Sequence, residues 1–162
     1  MTSPATTLRT LWMRLSPLPG GRWLFSRVFG WLVPYSGTVR PLVTLFEPGH
    51  VRLHMRDRRA VANHLGSIHA IALANVGEAA SGLALLGALP PTARGILVGI
   101  DVAYHKKARG TMEAECACEI PDVVGPIDYA VQAHIRDYAG DEVATVTARW
   151  RLGPVPKTAG AS

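Results

Sequence analysis

The sequence predicts an α+β domain in which a mostly antiparallel sheet is wrapped around one long apolar helix. Three observations carry this. Between Ile68 and Leu89 the only clearly polar side chains are His69, Asn75, Glu78 and Ser81, so a helix here is apolar almost all round. A helix of that kind is either a membrane span or the buried centre of a domain, and a glutamate in its middle argues for the centre. Second, Met112, Ala114, Cys116, Cys118 and Ile120 alternate with Glu113, Glu115 and Glu119, the period-two pattern of a strand wet on one face. Third, two strand-like segments precede the helix and four follow it, joined by turn residues. At 162 residues the chain fits one domain with a substantial core.

In order, residues 1–35 form a basic helical extension. Leu8, Leu11, Trp12 and Leu15 have helical spacing, as do Leu24, Val28, Trp31 and Leu32, with Ser16-Pro17 and Pro19-Gly20-Gly21 between the two runs. The segment holds Arg9, Arg14, Arg22 and Arg27, and no acid precedes Glu47. Three readings are open: an amphipathic pair on an anionic membrane surface through residues 8–33, helices packed on the domain's own sheet or on a partner subunit, and an Arg-rich targeting segment. The main domain, residues 36–152, opens with strands over Thr38–Phe46 and Val51–Arg56 around the turn Glu47-Pro48-Gly49. Ser67 is the expected N-cap of the central helix, and Gly87 with Pro90-Pro91 its stop. Strands over Ile96–Lys107, Thr111–Ile120, Tyr129–Asp137 and Glu142–Leu152 follow. Residues 153–162 read as a disordered tail.

Composition narrows the partners. Charged residues are 18% and hydrophobic ones 48%, a globular balance. A net charge of +5 suits an anionic partner such as a phosphate-bearing molecule or an acidic membrane. No nucleic-acid-binding motif is present. Cys116 and Cys118, two apart on one strand face, are poorly placed for a disulfide, and no further Cys or His stands at metal-ligand spacing. A reducing, cytoplasmic compartment is the expectation, and no apolar run is long enough to span a bilayer.

Asn63, Gly66, His69 and Glu78 together resemble the N-x-x-G-x-x-H-G-G-x-x-x-x-x-x-(D/E) signature of hot-dog-fold thioesterases of the phenylacetate-pathway type. Both spacings agree, while Ala70 and Ile71 replace the two motif glycines. The flanking text, NHLGSIHAIALANVGE and YHKKARG, is similar to a little-characterised branch of the same superfamily, over roughly residues 36–152. The resemblance implies a hot-dog fold and hydrolysis of an acyl-coenzyme A. It also implies edge-to-edge dimers, or higher even oligomers, with active sites at the subunit interface. No cofactor is implied beyond the coenzyme A of the substrate. A hot-dog dehydratase is disfavoured, because no Asp/His pair stands at the dehydratase spacing.

The residues can be weighed chemically. A carboxylate in an apolar setting has a raised pKa and serves as base or nucleophile, the catalytic role expected of Glu78. The bland alternative is a carboxylate satisfied by backbone or an arginine. At the N-terminus of the helix, the backbone N–H of Ala70 would polarise a thioester oxygen. His69 reads more as a loop-fixing residue than a proton carrier. Asn63 would orient water or hold the loop. Gly66 of the motif and Ser81, which with Asn75 and Glu78 makes a polar stripe three residues apart, join the expected substrate contacts. Lys106, Lys107 and Arg109 resemble the basic stretch near the coenzyme A nucleotide; the other reading is a solvated strand end. Many relatives carry a Ser or Thr on the strand after the helix, and none lies between Ala93 and Gly110. The two functions left standing are an acyl-coenzyme A thioesterase and a non-catalytic acyl-binding protein at a membrane surface.

Overall fold

The computed structural model describes residues 4–155, with side chains from Thr7 onward. Helices α1 (Pro4–Leu15), α2 (Gly21–Leu32) and the short α3 (Pro34–Gly37) lead into strands β1 (Leu42–Glu47) and β2 (His50–Met55). A 3-10 turn (Arg59–Val61) precedes the central helix α4 (Ala70–Leu86). Strands β3 (Ala93–Tyr104), β4 (Met112–Ala117), β5 (Ile127–Arg136) and β6 (Glu142–Pro154) complete the chain. The six strands form one sheet in the order β1-β2-β4-β5-β6-β3, antiparallel at every pairing. This is the hot-dog fold.

The alternation in the strands explains how the sheet wraps the helix. Val51, Leu53 and Met55 of β2, Met112, Ala114 and Cys116 of β4, and Val146, Ala148 and Trp150 of β6 are buried against α4. The intervening Glu113 and Glu115 face outward and pair with His54, and with His50, Arg52 and Arg136. Small residues let the helix lie close. A Cβ at Gly77 would overlap the side chain of Val146, and one at Gly82 would touch the Trp150 ring at 3.5 Å. Removing fully buried alkyl groups from water is the main stabilising term here.

Several boundaries differ from the sequence reading. The helix starts at Ala70, because Ser67 is tied to Asn63 and Ile68 bridges Ala62. His69, extended at φ −66° and ψ 138°, is the N-cap instead of Ser67, its Nδ1 accepting the Ile71 N–H at 3.1 Å. The stop at Gly87 stands. β1 begins at Leu42 and not Thr38, since residues 34–37 turn helically and Arg40 sits at φ 49°. β4 ends at Ala117, after which Cys118 N–H bonds only the turn carbonyl of Gly49 at 2.8 Å. Of the expected tail, Gly153 and Pro154 finish β6. Residues 156–162 lie outside the described residues, as do residues 1–3 of the extension.

The N-terminal helices share the domain's core. Trp12 of α1 meets Phe25 of α2 edge-on at 5.1 Å between centroids, and Phe46 of β1 lies 6.0 Å from Phe25. Ser26 Oγ accepts the Val43 N–H at 2.8 Å, so α2 covers the β1 edge of the sheet. Among the described residues β3 is the uncovered edge, and it carries the exposed Ile96 and Val98. An open edge with apolar side chains is a template for pairing with another chain.

Candidate active site

Glu78 sits halfway along α4, at the wall of a pocket of about 220 Å³. Ala79, Gly82, Leu83 and Leu86 of the same helix, Phe46 and Trp150 from the sheet, and Leu8, Phe29, Val33 and Ser36 from the N-terminal helices line it. Gly82, one turn along the helix, leaves open the space that the Trp150 ring and Glu78 Oε1 both border. The carboxyl has no hydrogen-bond or ion-pair partner among the described residues, and burial alone raises its pKa above the ordinary value. Trp150 Nε1 is also buried without an acceptor among the described residues. An unpartnered polar group in an apolar setting is costly unless something else uses it. The pocket therefore combines a titratable oxygen nucleophile or base with room for a hydrocarbon chain.

The motif loop builds a second feature at the helix N-terminus. Asn63 folds the loop on itself: Oδ1 accepts the N–H of Leu65 at 2.9 Å and of Ser67 at 3.2 Å, while Nδ2 donates to Ser67 Oγ at 3.0 Å. Gly66 takes φ +65°, a left-handed position that glycine adopts freely. The basic segment closes onto this loop. Ile68 N–H donates to Ala108 O at 2.8 Å, Arg109 Nε to Gly66 O at 3.2 Å, and Tyr104 OH to Ala70 O at 3.0 Å. The Ala70 N–H itself has no acceptor among the described residues, so the first amide of the helix is a free donor with the helix dipole behind it.

A second pocket, about 210 Å³, lies beside this end and is lined by Tyr35, Thr38, Val61, His69, Ile71 and Asn75, among others. Asn75 Nδ2 donates to Tyr35 O at 3.0 Å, and its buried Oδ1 has no partner among the described residues.

The expected site residues thus do not converge on one place. Ala70, His69, Asn63, Gly66 and Arg109 gather at the helix N-terminus, where Asn63 is occupied by the loop and His69 Nδ1 by the cap. Glu78 stands alone at the apolar pocket, eight residues and roughly 12 Å along the axis from Ala70. Ser81 lines neither pocket; it is fully buried and its hydroxyl donates to Glu78 O at 2.8 Å. Lys106 is held between Asp137 and Asp141, 2.7 Å from each, which keeps its ammonium far above the usual lysine range. Lys107 is exposed and has no ion pair among the described residues. Sequence reasoning missed Trp150, Phe29 and Val33 as pocket walls. Only the inward register of Trp150 on the last strand could have suggested it.

One helix wrapped by this strand order, with an acidic residue facing a pocket from the helix, defines a hot-dog protein of the thioesterase type of fold. The chain belongs to the family described as a domain of unknown function, DUF4442, which matches residues 21–152. No curated protein matches it. Among solved structures, the genomics protein APC5556 is 24% identical with a TM-score of 0.80, over 94% of this chain and 100% of its own. PA5026 of Pseudomonas aeruginosa, a protein of unknown function described as a probable thioesterase, is 25% identical with a TM-score of 0.71, over 85% of this chain and 97% of its own. The protein smu.793 of Streptococcus mutans, bound to acetyl CoA, is 20% identical with a TM-score of 0.60, over 71% of this chain and 90% of its own.

Proposed function

We propose that this protein is an acyl-coenzyme A thioesterase whose active site is shared between two copies of the chain. The observation that carries the proposal is the unpartnered Glu78 carboxyl at the wall of an apolar pocket. Glu78 in its ionised form takes a proton from water as the water oxygen attacks the thioester carbonyl, and the carbon–sulfur bond then breaks to release a thiol and a free acid. Alternatively the carboxylate attacks the thioester carbonyl directly; the carbon–sulfur bond breaks to release the thiolate, which takes up a proton, and water hydrolyses the resulting mixed anhydride to the free acid and Glu78. In either route the thioester oxygen gains negative charge, which the Ala70 N–H is placed to accept. PA5026, a probable thioesterase, and smu.793, bound to acetyl CoA, favour this chemistry over other uses of the fold.

The need for two copies follows from distance. A carbonyl oxygen at the Ala70 N–H of one chain lies too far from that chain's own Glu78, roughly 12 Å along the axis, for both to act on one thioester. A second chain paired along the free β3 edge would bring its Glu78 to the first chain's Ala70, and by two-fold symmetry would complete two sites. The free thiols of Cys116 and Cys118 suit a cytoplasmic setting.

The coenzyme A end belongs with the basic segment beside the helix N-terminus. Lys107, exposed and without an ion pair among the described residues, is the better phosphate contact; Lys106 already has two carboxylates. Lys107→Ala is expected to raise the Michaelis constant about two- to fivefold, an effect that fades as salt is added. Lys106→Ala should leave it nearly unchanged. Steady-state kinetics at low and high salt check both. The reading as a whole is tested by a thioester panel from short to long acyl chains, followed by thiol release. Binding of acyl-coenzyme A with no hydrolysis of any member would replace it by the non-catalytic acyl-binding reading, which the replacement of the two motif glycines by Ala70 and Ile71 favours.

A further inference from the structure

We propose that the outer face of α2 docks on an anionic lipid surface. Helix α2 is apolar on two opposite sides. Phe25 and Phe29 point into the core at 0% and 3% exposure, while Trp23, Leu24, Trp31 and Leu32 stand 62%, 45%, 78% and 47% exposed. Arg27 lies one turn from both Trp23 and Trp31 on the outward side. Trp23, Leu24 and Trp31, turned to water within about 100° of one another around the helix and joined at its last residue by Leu32, mark a contact surface.

Charge selects the occupant. Arg9, Arg14, Arg22 and Arg27 all lie on α1 and α2, no acid occurs before Glu47, and none of the four is in an ion pair among the described residues. By contrast Arg149 and Arg151, on the outer face of the sheet, are each matched by an aspartate. Tryptophans prefer the headgroup region, where the ring is buried and the indole N–H stays wet, and arginines beside them reach lipid phosphates. A helix lying in that plane needs an apolar face, a cationic rim and no particular length, which α2 supplies over about 18 Å. A second copy of the same face is a poor partner, since two-fold pairing would set Arg27 near its own equivalent. Because Phe29 and Val33 wall the Glu78 pocket from within, the docked helix would stand between lipid and pocket.

The test is co-sedimentation of the full chain with phosphatidylcholine vesicles, alone or with about a third phosphatidylglycerol. Wild type is expected to bind the mixed vesicles and not the neutral ones, with binding lost as salt rises. Arg27→Glu and the double change Trp23→Ser/Trp31→Ser should each lower the bound fraction about tenfold or more. Arg151→Gln, remote on the sheet, should not change it. Circular dichroism and light scattering on each variant separate loss of docking from loss of fold or assembly. Wild type that ignores anionic vesicles, or variants that bind as well as wild type, would overturn the proposal. So would a fall in oligomeric mass in the tryptophan variant, which would make the face a subunit contact.

Discussion

Glu78→Gln is expected to lower turnover by about 10²–10⁴-fold while leaving the fold and the acyl pocket intact. Glutamine keeps the size and a polar oxygen but has no lone-pair base or nucleophile of comparable strength. The loss should fall on the turnover number, because the carboxylate acts on the reacting carbonyl and contributes little to holding the chain. The same change has a signed effect on stability. Burial raises the carboxyl's pKa above its ordinary 4.5, so the neutral form is the one the folded state favours. That preference is fully present below the unfolded-state pKa and is lost as pH rises through the higher folded-state value. The glutamine variant should therefore melt above wild type at neutral pH, with the gap closing in acid. A catalytic group that destabilises its own fold at working pH is the pattern of a site held for function. Paired kinetics and melts at pH 4 and 7.5 check it, and a variant with wild-type turnover removes Glu78 from the mechanism.

Ala70→Pro is expected to cost about 10²–10³-fold in turnover by deleting one backbone donor. The substitution suits this position unusually well. Proline is favoured at the first residue of a helix, where its missing N–H leaves no helical hydrogen bond unmade. His69 already has the extended backbone, φ −66° and ψ 138°, that a residue before proline requires. The Ala70 carbonyl, which accepts the Tyr104 hydroxyl, is unaffected. Circular dichroism and melting should thus match wild type while the rate collapses. Unchanged turnover would show that the helix N-terminus does not meet the developing oxyanion.

Much of the architecture was legible from local pattern. Glu78 stood out as the one acid in an apolar helix, and β4 declared its buried face through strict alternation of small or apolar residues with glutamates. What could not be read depended on contacts distant in the chain. Helix α2 has apolar residues on both sides, so periodicity alone did not say that Phe25 and Phe29 go inward while Leu24 and Trp31 stay out. Lys106 reads as a free cation until Asp137 and Asp141, 31 and 35 residues away, close on it. Ser81 shares helical spacing with Glu78, but its hydroxyl turns back to the helix backbone. That α1 and α2 help wall the pocket is visible only once Leu8, Phe29 and Val33 are placed beside Glu78.

The shared site is tested most directly by a mixed dimer. A Glu78→Gln chain and an Ala70→Pro chain, each nearly inactive alone, can be co-expressed with different tags and the heterodimer isolated. If Ala70 of one chain works with Glu78 of the other, the heterodimer holds one intact site and one doubly damaged site. It should then recover roughly half the wild-type turnover per dimer. A heterodimer as inactive as its two parents would contradict the account, because it would mean that both groups act within the same chain or that one of them does not act at all.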